Sequence, residues 1–318
     1  MPEDLIVKVT RAREILDDRA LGRRRWLRFA VVVHLLLAAV VFAPMFLEGK
    51  LPIWSTDNYY THLPNLLFTA RDVRAGGLAT WNPHVHGGID YTASAINAAL
   101  YPPNWPLMLL PEGALFHGLG VRVFLELWLV GVFAYLLFRE ELRDRRWALF
   151  SSVMYQVGGF ALWCLTVRAT PLILFVTIGL YVVWSFRRRP RYRSFIYLAL
   201  SAAMVMLGGI LPYAFAGVTT LCVLYAMRYW PDSVNPLSRA GYKGTFVAAI
   251  ATGTLLAMVR LLPVGLSLPE STRVLVDADT QQFLAPRNSP YMGLTALSPD
   301  VMGVNFAPSI RLMKSADR

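Results

Sequence analysis

Asp57 is a lone carboxylate soon after a long apolar block, in a polar stretch, and is the residue best suited to take a proton from an attacking hydroxyl. The competing reading makes Asp57, or its neighbour Thr56, the N-cap of the helix that follows. Asp90, just past the pair Gly87 and Gly88, reads as a second acid, a metal ligand or an acceptor-binding group, or else as an ordinary turn aspartate. His84 and His86 alternate, and with Asp57 or Asp90 they could ligate a divalent metal ion, although HxH without further ligands at fixed spacing is a weak signature. No other cofactor is indicated.

Arg122 and Glu126 stand four residues apart, on one helical face of an apolar block. Ionisable groups at membrane depth cost on the order of 3 kcal/mol each and face a cavity or a partner. Either the two neutralise one another across a turn, or Arg122 meets a phosphate while Glu126 orients it. Arg168, Arg260 and Arg273 are expected near the same interface, so a phosphate site could draw on several cations, some of them acting only as snorkelling anchors.

What must position these groups is membrane scaffold. A chain of 318 residues with 56% hydrophobic and 16% charged residues is too apolar for an ordinary soluble domain, and its apolar residues fall in blocks of bilayer length. The net charge of +11 comes from Lys and Arg clusters flanking those blocks, which fits topology and argues against nucleic acid. Cys164 and Cys222 lie inside apolar blocks, giving neither a disulfide framework nor a zinc motif. No cleavable signal peptide is expected, because the first block follows about 28 residues of charged sequence.

The expected fold is all-α and polytopic, with about seven transmembrane helices. Residues 1–28 form a cytoplasmic amphipathic segment, 29–266 the membrane domain with an active loop at 48–118, and 267–318 an extracytoplasmic segment. Arg23, Arg24, Arg25 and Arg28 mark the start of a first span, Phe29 to Leu47, as cytoplasmic. Further spans are expected at Leu119 to Phe138, Trp147 to Leu165, Ala169 to Phe186 and Phe246 to Leu266. Phe195 to Met227 is too long for one span and is broken by Gly208, Gly209 and Pro212. It reads as two short spans, with one span plus a buried kink as the alternative.

The polar loop runs from Trp54 to Pro111. Apolar positions Tyr60, Leu63, Leu67, Ala70 and Val73 predict an interfacial helix ending at Gly76 and Gly77, and a second is predicted from about Thr92 to Leu100 before Pro102, Pro103 and Pro106. A lone acid soon after the first span, an amphipathic helix ending in AGG, a WNP turn, a Gly-rich turn and a YPPNW stretch together resemble the YfhO family of bacterial membrane proteins, within the C-type (GT-C) glycosyltransferases. Leu261 to Arg273, LLPVGLSLPESTR, is similar to the Pro-rich exit after a later span of such proteins. The resemblance is continuous over residues 54–111, patchy to 273 and weak beyond.

That resemblance implies a bacterial inner-membrane enzyme that inverts the sugar it transfers from a polyprenyl-phosphate carrier to an extracytoplasmic glycan, lipid or protein acceptor. Asp57 would be the base and the arginines would meet the leaving phosphate. Trp81 and Tyr101, flanked by Asn82 and Asn104, are the aromatic and amide pairs suited to a sugar, since a pyranose face packs on a ring while amides bond its hydroxyls. The other loop aromatics fit an interfacial belt. Members of the family are longer, which implies a fragment, a short variant, or a partner subunit supplying further helices. Two other classes stay open: a lipid or polysaccharide transporter or flippase, and a noncatalytic assembly subunit.

Overall fold

The structure is a computed structural model that describes residues 22, 24–48, 62–84, 88–92, 99–142, 144–166, 169–188, 192–208, 211–228 and 236–267. It is an all-helical bundle: α1 (24–41), α2 (Ala43–Glu48), α3 (Leu63–Arg74), α4 (Trp105–Met108), α5 (Glu112–Leu142), α6 (Arg145–Val157), α7 (Gly159–Thr166), α8 (Thr170–Arg188), α9 (Tyr192–Gly208), α10 (Leu211–Arg228) and α11 (Pro236–Ser267). A two-residue hairpin, β1 (Trp81–Asn82) with β2 (Ile89–Asp90), interrupts the loop.

The expectation of about seven transmembrane helices is corrected. Among the described residues, two helices are long and apolar enough to cross a membrane, α5 and residues Lys243–Ser267 of α11, or three if the bent pair α6 and α7 counts as one span. Each remaining apolar block fails for a local reason. Arg24, Arg25 and Arg28 occupy the first turns of α1. The apolar parts of α8, α9 and α10 are Thr170–Trp184, Tyr192–Gly208 and Tyr213–Leu224. At 1.5 Å per residue they reach roughly 18–26 Å, short of a hydrocarbon core of about 30 Å. The block from Trp147 to Leu165 is bent by 41° at Gly158, which adopts an extended conformation at the end of α6. Phe195 to Met227 is two helices, α9 and α10, parted at 209–210. The two or three long apolar helices nevertheless give the chain membrane character, and α11 leaves Leu255 and Leu266 about 70% exposed.

The helices pack as a chain of neighbours, α6 on α5, α5 on α8, α8 on α9 and α9 on α11. The main core lies among α5, α8, α9 and α10, around Val130, Leu172, Val205, Met206 and Val218, and takes in Tyr101 from the loop. Against the first half of α5 sits a separate cluster of Leu66, Ala70, Leu107, Met108, Leu115 and Leu119, which docks α3 and α4. The helix expected to end at Gly76 and Gly77 is α3. Gly76 adopts a φ of 81°, the left-handed conformation that suits glycine, and the N–H groups of Gly76 and Gly77 donate to the carbonyls of Val73 and Asp72. Most of the second interfacial helix expected in the loop, residues 93–98, lies outside the described residues, as do the terminal segments 1–21 and 268–318.

Glycine permits a close contact between α9 and α11. A Cβ on Gly253 of α11 would lie 2.4 Å from the Ala199 carbonyl oxygen and 2.8 Å from the Ala202 Cβ of α9, whereas one on Gly244 would meet nothing within 4 Å. Gly253→Ala is therefore expected to cost about 1–3 kcal/mol by overpacking, and Gly244→Ala to stabilise by roughly 0.5–1 kcal/mol through helix propensity. Thermal unfolding of both variants in detergent checks the opposite signs.

Candidate functional site

Several of the buried polar groups gather around Glu126. Its Oε1 accepts from the Tyr101 hydroxyl at 2.8 Å, and its Oε2 accepts from the Thr170 hydroxyl at the start of α8. Arg122, one turn earlier on α5, brings Nε to 3.6 Å from Glu126 Oε1 and donates from Nη1 to Asn104 Oδ1 at 2.6 Å. Its guanidinium carbon lies 5.6 Å from the centroid of the Tyr101 ring, within cation–π range. All five residues are buried. Arg122 Nε and Nη2 are fully buried with no hydrogen-bond partner among the described residues, so the guanidinium is held by charge and ring more than by hydrogen bonds.

Local sequence explains the convergence. Pro102 and Pro103 open a 3-10 turn at Pro102–Asn104, whose N-cap residue Tyr101 is extended; this carries Tyr101 and Asn104 inward together. Gly208, the last residue of α9, lets the Tyr101 ring approach to where a Cβ would stand 2.7 Å away. Phe175 of α8 packs edge-on to the same ring at 6.3 Å.

The second buried cation is Arg260 of α11. Its Nη1 donates to the carbonyls of Met206 at 2.5 Å and Leu207 at 2.9 Å, so it caps the C-terminal end of α9, where helix carbonyls and the dipole favour a cation. Arg260 also lines a cavity of about 810 Å³ between the loop and α11. The rest of that wall is mainly apolar, with Val73, Leu78, Ala99, Leu100, Trp105, Leu109 and Pro263, and threonines at 69, 80 and 92 supply hydroxyls.

The remaining candidates lie apart from this cluster. Trp81 is exposed, and its indole fills the space a Cβ on Gly88 would need, at 2.3 Å. Asn82 is buried and accepts the His84 N–H at 2.9 Å, a local turn contact. Asp90 is exposed, pairs with Trp81 in the hairpin, and accepts from the N–H and hydroxyl of Thr92 at 2.9 and 2.6 Å, the geometry of a turn aspartate. His84 is exposed and edge-on to Phe68 at 6.0 Å. Asp57, His86, Arg168 and Arg273 lie outside the described residues. Among the described residues no three His, Cys, Asp or Glu side chains gather as a metal would need.

Reading the sequence missed Thr170 as a partner of Glu126, and the signal was there: a hydroxyl at the start of an apolar helix whose neighbour is a buried acid. At the other end of the loop the exposed Arg71 donates to both carboxylate oxygens of Glu112 at 2.7 and 2.9 Å. That hydrogen bond raises the Arg71 guanidinium above its ordinary range. Arg74 adds a bond to the Leu110 carbonyl at 2.9 Å.

No family model, no curated protein and no solved structure matches this chain.

Thr170→Val removes the donor to Glu126 Oε2 while keeping the shape of the side chain, and is expected to cost about 1–3 kcal/mol, the penalty of a buried acceptor left unmet. Arg71→Gln breaks an exposed pair and is expected to leave the unfolding midpoint unchanged. Denaturant unfolding in detergent separates the two.

Proposed function

We propose that the chain is a membrane glycosyltransferase of the GT-C type that takes a sugar from a polyprenyl-phosphate carrier and passes it to an extracytoplasmic acceptor at the bacterial inner membrane. The cavity of about 810 Å³ carries this reading: it is mostly apolar, opens beside the polar loop, and has the Arg260 guanidinium in its wall. A site of that size and lining suits an apolar chain, and a cation at its edge suits an anionic head group. The YfhO-like run over residues 54–111 supports the same class, since those residues supply one side of the cavity.

In this scheme Asp57 takes the proton of the acceptor hydroxyl as the oxygen attacks the anomeric carbon and the bond to the carrier phosphate breaks. The exposed Trp81 offers the aromatic face for a sugar. Arg122 and Glu126 hold the loop through Tyr101 and Asn104, so they act on the reaction by positioning.

Radiolabelled sugar supplied on polyprenyl phosphate to purified protein in liposomes tests this. Wild type is expected to transfer label to an acceptor lipid or glycan pool. Asp57→Asn is expected to abolish transfer while staying folded, and Ala99→Trp, which fills the cavity, to reduce transfer at least tenfold. Absence of transfer by wild type across several donors, with divalent metal supplied, would sink the reading, and equal transfer by Asp57→Asn would remove the base.

A further inference from the structure

A second buried polar group, separate from the cluster at Glu126, joins three helices. His34 of α1 is fully buried, with Nδ1 2.7 Å from Gln156 Oε1 and Nε2 3.0 Å from Ser152 Oγ, both on α6. The Gln156 Nε2 lies 3.1 Å from the His34 carbonyl oxygen and 3.1 Å from the Leu127 carbonyl oxygen of α5. Gly131 of α5 makes room, since a Cβ there would lie 2.4 Å from His34 Nδ1 and 2.7 Å from Gln156 Oε1.

These partners determine where the imidazole carries its proton. Two carbonyls accept from Gln156, so its NH₂ faces them and its Oε1 is left as an acceptor. His34 Nδ1 must then be the N–H. In the neutral ring Nε2 is an acceptor and receives a hydrogen bond from the Ser152 hydroxyl. The Leu149 carbonyl oxygen, 2.8 Å from the same Ser152 oxygen, offers that hydroxyl a second place to donate. If Nε2 gains a proton, it donates to Ser152 Oγ while the hydroxyl turns to Leu149. Both charge states are fully hydrogen-bonded without moving a heavy atom.

We propose that His34 is a proton-binding site that makes the attachment of α1 to α5 and α6 sensitive to pH. The step balances simply: one proton from solvent bonds to Nε2, the Ser152 hydroxyl rotates, no bond to a heavy atom breaks, and the junction gains one positive charge. On the packed elements the titratable groups nearest in sequence to the three junction residues are Arg28 on α1, Glu126 and Tyr135 on either side of Gly131 on α5, and Tyr155 beside Gln156 on α6, while Arg24, Arg25, Glu112, His117, Arg122, Arg139, Glu140, Glu141, Arg145 and Arg146 stand further along the same helices. Glu126 is engaged by Tyr101 and Thr170, the Tyr135 ring lies 6.0 Å from the Arg139 guanidinium, and the Tyr155 hydroxyl pairs with Thr177 at 2.9 Å. Among the described residues no carboxylate bonds to the imidazole, and its side-chain partners are Gln156 and Ser152.

The charge therefore arrives without a counter-ion, and burial favours the neutral ring. Burial holds the His34 imidazole below the ordinary histidine range, with the Gln156 hydrogen bond offsetting part of the effect. A group shifted this way contributes its full stability above the unfolded value of about 6.5 and loses it as pH falls below that value. Acid thus loosens α1, the helix that leads into the segment carrying Asp57. This inference does not depend on the proposed glycosyl transfer.

Two measurements on the intact chain in detergent test it. Nitrogen-15 NMR of histidine-labelled wild type, with His34→Gln to assign the signal, should show the Nδ1–H tautomer at pH 8 and protonation of Nε2 on acidification. Thermal unfolding of wild type should fall by several degrees between pH 8 and pH 5, and that fall should be smaller in His34→Gln. If His34→Gln does not fold, Ser152→Ala, which keeps all five histidines, gives the assignment instead, because among them the His34 signal is the one that shifts on loss of the Nε2 partner. An Nε2–H tautomer at pH 8, or a wild-type ring that takes up no proton down to pH 5, would overturn the proposal.

Discussion

The carboxylate of Glu126 is the constraint on which most of this architecture depends. It is a carboxyl group in the interior of an apolar helix, and such a group is tolerable there only if its oxygens are met by donors. The loop supplies Tyr101, α8 supplies Thr170, and α5 itself supplies Arg122 one turn away. Meeting the needs of one side chain therefore fixes the loop against α5 and α8. The Tyr101 ring then occupies the space that Gly208 leaves open, and the carbonyls just before Gly208 hold Arg260. Through these contacts the buried acid is linked to the last turn of α9 and to the wall of the large cavity.

The second organising constraint is length. Apolar stretches in this chain are numerous but short, because Gly158 and the break after Gly208 end helices inside runs that look continuous by composition. What remains long and apolar is α5 and the second part of α11, together with the bent pair α6 and α7. These helices serve different ends. α5 packs against α1, α6 and α8 and carries the polar cluster, whereas α11 keeps one side on α9 and leaves a row of large aliphatic side chains open. Buried small residues on α9 and α11, Ala199, Ala202 and Ala257 among them, let those two helices approach closely.

Much of the helical order could be read from the sequence, because apolar blocks, flanking arginines and Gly-Pro breaks mark where helices start and stop. The end of α3 at Gly76 and Gly77 followed from glycine chemistry, and so did the separation of α9 from α10. The number of membrane-crossing helices did not follow, because hydropathy counts apolar residues and is insensitive to a bend such as that at Gly158. For the site, the pairing of Arg122 with Glu126 was visible in their four-residue spacing. That Tyr101 and Asn104 turn inward to join them was not, since an aromatic and an amide beside prolines suit a ligand-facing loop equally well. His34 was passed over because a single histidine in an apolar run has no partner at helical spacing. Its partners, Ser152 and Gln156, are more than a hundred positions away and meet it only in the folded chain.

The claim that Glu126 fastens the loop to the bundle is tested most directly by a double-mutant cycle on Tyr101→Phe and Glu126→Gln, followed by unfolding in detergent. A hydroxyl bonded to a buried carboxylate should give a coupling above about 1 kcal/mol, with the double variant losing less than the two single losses combined. Effects that add to within about 0.3–0.5 kcal/mol would mean that the two side chains do not act together, and would contradict the clamp.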